Sequence, residues 1–182
     1  MKKKARREQI FKLLFRAAFN EPEEMQAQTE MFFESGDQTF SEEDRTIIRE
    51  KTEKILQRLP EIDEEIAGSM KEWRLDRVGK VELAVLRLAV YEMRYDEEIP
   101  EKVAISEAIE LATRFGQDGA GTFVNGVLGR LSRGIRRDIE AEEREKEAEK
   151  RAKKSGTVVV VTGRGRTASG RTSDAPDRER HT

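Results

Sequence analysis

The chain has 182 residues, 40% of them charged and 36% hydrophobic, with a net charge of −2, one histidine and no cysteine. That length can bury a real core, but so polar a balance leaves part of the chain outside it. Disulfides and thiolate zinc sites are excluded, and the lone His181 sits one residue from the end, which removes nucleophile–His pairs from the folded part. No apolar run reaches the roughly 18 residues of a membrane span.

The small net charge conceals a segregation. Residues 1–19 carry Lys2, Lys3, Lys4, Arg6, Arg7, Lys12 and Arg16 against Glu8 alone, whereas residues 20–65 carry fifteen acids against five bases. A local basic patch attracts phosphate whatever a remote acidic surface does. Lys12 and Arg16 also interrupt the apolar body of the first segment, so it does not read as a signal peptide, and a cytoplasmic protein is expected.

In chain order, a first helix is predicted over about 4–19, with Ile10, Leu13, Leu14, Ala17 and Ala18 at helical spacing. Asn20 and Pro22 end it, and a second helix follows near 22–33. Gly36 and Asp37 mark a loop. Ser41 with Asp44 three residues on is a capping signature for a helix carrying Ile47, Ile48, Ile55 and Leu59. Pro60 interrupts it, and a shorter helix carries Ile62, Ile66 and Met70. Residues 73–79 read as a hinge.

The helix over 81–95 is apolar nearly all round, which predicts the buried centre of a bundle. The next helix, opened by Ile99 and Pro100, buries Ile105, Ala108, Ile109 and Ala112, with Gly116 placed to follow its end. The last core helix begins near Ala120 and turns Val124, Val127, Leu128, Leu131 and Ile135 inward. From Arg136 the composition changes. Residues 136–154 read as a solvated helical extension with i,i+4 ion pairs, and 155–182 as a disordered tail in which Val158–Val161 could pair as a strand. The domain expectation is thus a basic N-terminal subdomain over 1–75, a second over 76–135, and the charged tail over 136–182.

The basic start, Lys2 to Arg7, reads either as a phosphate-binding arm or as an ordinary solvated terminus. Arg7, Phe11 and Phe15 share one helix face, a pairing of guanidinium and ring that suits an unstacked base. Burial preference favours plain core packing for Phe11, and Phe15 reads both ways. In Phe123-Val124-Asn125-Gly126-Val127-Leu128, Asn125 and Gly126 are poor helix residues. They point either to a site or to close helix packing over Gly126 with Asn125 as a cap.

The run Val81-Glu82-Leu83-Ala84-Val85-Leu86-Arg87-Leu88-Ala89-Val90-Tyr91-Glu92, then Ile99-Pro100, Val103-Ala104-Ile105-Ser106-Glu107-Ala108-Ile109-Glu110-Leu111-Ala112, Phe115-Gly116 and the Phe123–Leu128 motif resembles the C-terminal half of NusB antitermination factors. The resemblance implies an all-α fold of two small helical bundles packed as one compact domain. It implies an RNA-binding adaptor that takes single-stranded, boxA-like RNA of ribosomal RNA leader transcripts. NusE, a small-subunit ribosomal protein, would be the partner, within an RNA polymerase antitermination complex. Carried over by position, it gives Arg6, Arg7, Phe15, Phe123 and Asn125 as RNA contacts, joined by Lys3 of the basic arm, and Glu82 as the residue facing NusE. No cofactor, metal or catalytic residue is expected. Two departures from the family pattern stand out: the loop Gly119-Ala120-Gly121-Thr122, where relatives often carry Asp, Ser and Lys, and the long tail. Two rivals are the RNA-binding front end of a ribosomal RNA methyltransferase, for which the chain lacks both room and a Gly-rich cofactor loop, and a purely structural helical scaffold.

Overall fold

The computed structural model describes residues 1–35, 40–70 and 74–154. The Gly36–Asp37 loop, Trp73 and everything expected of 155–182 lie outside these. Every regular element among the described residues is helical: α1 (Lys3–Arg16), α2 (Met25–Glu34), α3 (Glu42–Gln57), α4 (Leu59–Ser69), α5 (Lys80–Tyr95), α6 (Glu101–Phe115) and α7 (Ala120–Lys154). Single 3₁₀ turns at Pro22–Glu24 and Leu75–Arg77 lead into α2 and α5. The chain divides into two units, Met1–Asp138 and Ile139–Thr182.

In the first unit α5 is the centre. Leu83, Ala84, Val85, Leu86, Leu88, Ala89, Val90 and Tyr91 are all buried, as its nearly continuous apolar surface requires. Helices α1, α4 and α6 pack on it, and α1 also packs on α3. One hydrophobic core therefore joins residues on both sides of position 75, from Ile10 and Leu14 to Val127 and Ile135.

Local signals set most element ends. The Ser41 hydroxyl accepts a hydrogen bond from the Asp44 backbone N–H at 3.1 Å, as its position at an N-cap predicts. Pro60 sits in the first turn of α4, where its missing N–H costs nothing, so it starts that helix. Helix α1 stops at Arg16, three residues short of the predicted end, because the Asn20 side-chain amide donates to the Arg16 carbonyl at 2.8 Å and tightens the chain there. The segment 22–33 begins as the 3₁₀ turn and becomes α-helical at Met25.

Gly116 does follow the end of α6, and its N–H donates to Ala112 O at 2.8 Å. Its φ of −88° is open to any residue. It is glycine because an added Cβ would lie 2.5 Å from Ala120 Cβ and 2.7 Å from Ala112 O. Among the described residues only Gly119, at φ 84°, uses glycine's left-handed freedom. The packing expected over Gly126 is absent: a Cβ there would meet only Arg130 Nη1, at 3.7 Å. Gly121 takes that role instead, lying against Thr113 Oγ1 and Ile109 of α6.

Residues 139–154, in the second unit, form the end of α7 and are almost all exposed. They carry the expected i,i+4 pairs Glu140–Arg144, Glu142–Lys146 and Glu147–Arg151, at 3.5, 3.6 and 2.7 Å. Each such pair supports an exposed helix by about 0.2–0.5 kcal/mol.

Candidate functional site

Four helix ends meet at one open groove of about 710 Å³. The end of α1 and the turn after it contribute Phe15 and Phe19, the start of α5 contributes Lys80 and Glu82, and the α6–α7 junction contributes Phe115 and Phe123. Phe15 and Phe123 are half-buried and pack on the core from its edge. Phe19 meets Phe15 edge-on, with ring centroids 5.1 Å apart at 66°, and is 62% exposed. An aromatic that open is not a piece of core, and its ring face is accessible to a planar ligand.

Charge surrounds these rings. Arg77, Lys80 and Asp118 also line the groove. The Glu82 carboxylate folds back over the backbone: a Cβ on Gly79 would overlap its Oε2, and one on Gly116 would lie 2.9 Å from its Oε1. Glu82 forms no ion pair with the described residues, so its charge is available to a basic partner. Phe115, also on the groove lining, packs against Phe11 at 5.1 Å, with Arg114 and Lys12 at 4.9 and 5.8 Å from its ring centroid. Phe11 is 3% exposed and belongs to the core.

Asn125 is exposed, and borders a second depression of about 370 Å³ that shares the stretch 116–120 with the groove. The structure thus brings Phe15, Glu82 and Phe123 into one site and sets Asn125 beside it.

The basic arm lies at the other end of α1, around a separate cavity of about 290 Å³ lined by Lys3, Arg6 and Arg7. Lys2 and Lys3 are exposed. Arg6 Nε donates to Asp44 Oδ1 at 2.6 Å. That bond, then the Ser41 hydroxyl and then the Met1 amino group at 3.1 Å, pull the Asp44 carboxyl down to about 2. Arg7 is 8% exposed and pairs with Glu92, itself 2% exposed, and with Glu107 at 3.3 Å. Lys51 completes the cluster, donating to Glu92 at 2.8 Å and Asp96 at 2.9 Å. A phosphate reaching Arg7 would have to displace two carboxylates, so Arg7 holds α1 onto α5 and α6.

Sequence reasoning missed Phe19, Phe115, Arg77 and Lys80. Phe19 stands four residues after Phe15, the spacing that shares a helix face, and that was the available signal. Among the described residues no group of three His, Cys, Asp or Glu is placed to hold a metal ion, and no helix is long and apolar enough to cross a membrane.

The described residues thus form an all-helical domain with an open groove lined by aromatic and charged side chains. Residues 4–133 match the NusB family, and the chain belongs to that family. Transcription antitermination protein NusB of Lachnoclostridium phytofermentans is 42% identical over 125 residues, covering 69% of this chain and 94% of the relative. Its namesake from Agathobacter rectalis is 41% identical over 126 residues, covering 69% and 95%. A solved structure of T. maritima NusB matches with a TM-score of 0.65 at 34% identity, over 73% of this chain and 92% of that one. A crystal structure of the antitermination factors NusB and NusE in complex with dsRNA shares the fold, with a TM-score of 0.61 at 23% identity, over 72% of this chain and 96% of that one.

Proposed function

We propose that this chain is an RNA-binding adaptor of bacterial transcription antitermination, which takes boxA-like single-stranded RNA of ribosomal RNA leader transcripts together with NusE. The observation that carries the reading is the groove itself, where Phe15, Glu82 and Phe123 converge from three helices far apart in sequence. Family membership, with relatives named as antitermination proteins, supports the role.

The mechanism is assembly. Phe15, Phe123 and the exposed Phe19 offer ring faces to splayed bases, each stack contributing about 1–3 kcal/mol. Asn125 supplies donor and acceptor groups to a base edge beside the groove. Lys3 and the neighbouring Lys2 meet phosphate. Arg6, shared with Asp44, edges the same surface, and Arg7 keeps that helix end in place. Glu82 faces NusE, whose side of the contact is basic, and the pair works in the cytoplasm within the RNA polymerase antitermination complex.

A titration of labelled boxA-like RNA with the chain alone and with NusE added tests this. The chain alone should bind, binding should tighten with NusE, and a scrambled RNA should lose the gain. Equal affinity for both RNAs under all conditions would refute it.

A further inference from the structure

We propose that the solvent face of α7 between Asn125 and Arg137 is a second RNA contact, a track for the sugar–phosphate backbone of the strand leaving the groove. The proposal rests on the RNA-binding reading above and extends its footprint.

The carrying observation is charge. From Gly119 to Arg137 the sequence contains no acid and four arginines, in a chain where acids slightly outnumber bases. Helical geometry puts Val124, Val127, Leu128, Leu131 and Ile135 inward. The opposite face therefore carries Gly126, Gly129, Arg133 and Arg137, flanked by Arg130 and Arg136. Arg133 and Arg137 form no ion pair with the described residues, whereas Arg136 is held by Glu101 at 3.0 Å. Arg130 donates only to a backbone carbonyl, Ser69 O, at 2.7 Å. The arginines of α1–α6 mostly face a carboxylate, as Arg94 faces Glu65 and Arg114 faces Glu8. A row of arginines left uncompensated complements a polyanion.

Backbone shape agrees. Glycine weakens a helix, and these glycines answer no internal packing. A Cβ on Gly129 would meet only Arg133 Nη1, at 3.8 Å, and one on Gly134 would meet nothing within 4 Å. Arg130 and Arg133 thus lie along the helix over Gly126 and Gly129, four residues earlier, and a strand can approach the helix closely. The face begins at Asn125, on the rim of the depression adjoining the groove. It continues for twelve residues, about 18 Å of helix, room for about five nucleotides at the 3.4 Å spacing of a stacked strand.

The test uses the full chain and two single-stranded RNAs, a short boxA-like strand and the same strand lengthened by about six nucleotides at each end, enough to span that 18 Å. The wild type should bind the long strand more tightly, with a salt slope steeper by about 0.7 for each arginine engaged. Arg130→Gln, Arg133→Gln and Arg137→Gln together should abolish that gain and leave the short-strand affinity unchanged. Arg133→Gln with Arg137→Gln, which touches no internal partner, should remove most of it if the triple variant folds poorly. No gain on lengthening in the wild type, or a gain that survives both variants, overturns the track alone. Loss of NusE binding with the RNA gain intact would assign the face to a protein and also overturn it. If the wild type fails to bind even the short strand, the RNA-binding reading itself fails.

Discussion

Arg7 and Glu92 meet inside the fold, Arg7 Nε lying 3.1 and 3.0 Å from the two carboxylate oxygens of a residue 85 positions away. Removing one partner of a buried pair strands the other's charge and costs about 3–5 kcal/mol. Arg7→Ala is therefore expected to destabilise the chain by that amount in a denaturant titration. Arg7→Leu with Glu92→Leu should recover part of the loss, since Lys51 and Glu107 are the more exposed partners. An Arg7→Ala chain of wild-type stability would contradict the structural role.

Asp44 contributes to acid stability. Its folded-state pKa of about 2 lies below the ordinary 3.8. A depressed carboxylate stabilises the fold fully above its unfolded value, and the contribution drains as pH falls from about 4 toward 2. Melting temperature should fall across that window in the wild type, and Asp44→Asn should flatten the fall while lowering stability near neutrality. An unchanged pH profile in the variant would show that the Arg6 and Ser41 bonds do not persist in solution.

Two glycines separate open space from close approach. Gly126→Ala is expected to stabilise the fold by about 0.5–1 kcal/mol, because the helix gains and nothing is displaced. Gly116→Ala should destabilise by about 1–3 kcal/mol, the range for forced overpacking, since Ala120 and the Ala112 carbonyl stand in the way. Thermal melts of both variants check the pair, and equal shifts would refute the contrast.

Glu82→Lys reverses a charge that no described residue pairs with. It should weaken NusE binding while the circular dichroism spectrum and RNA binding by the isolated chain survive. Calorimetry showing unchanged NusE affinity with the fold intact would remove Glu82 from the interface.

Much of the fold is legible because its signals are local. Ser41 and Asp44 cap α3 within one turn, and the all-round apolar surface of α5 announces its central position before any contact is known. Phe15, Glu82 and Phe123 are singled out in the sequence only through the family resemblance, and the structure shows that they line one groove. The fate of Arg7 was not legible. A charged side chain near the start of a helix reads as solvated unless its carboxylates are known, and these lie on α5 and α6. The role of Gly116 was hidden for the same reason: its obstacle, Ala120, is local, but the chain must first turn at Gly119 to bring it near.

The central claim is that the groove stacks RNA bases, and Phe123→Ala tests it most directly. Affinity for boxA-like RNA and unfolding free energy should be measured on the same preparation. The account predicts an affinity loss of about 1–3 kcal/mol, roughly five- to 150-fold. Unfolding free energy should change by less than about 1.5 kcal/mol, as for a partly exposed side chain. A stability loss above about 3 kcal/mol, with binding tracking the folded fraction, would make Phe123 a core residue. Unchanged RNA affinity in a stable variant would contradict the account outright.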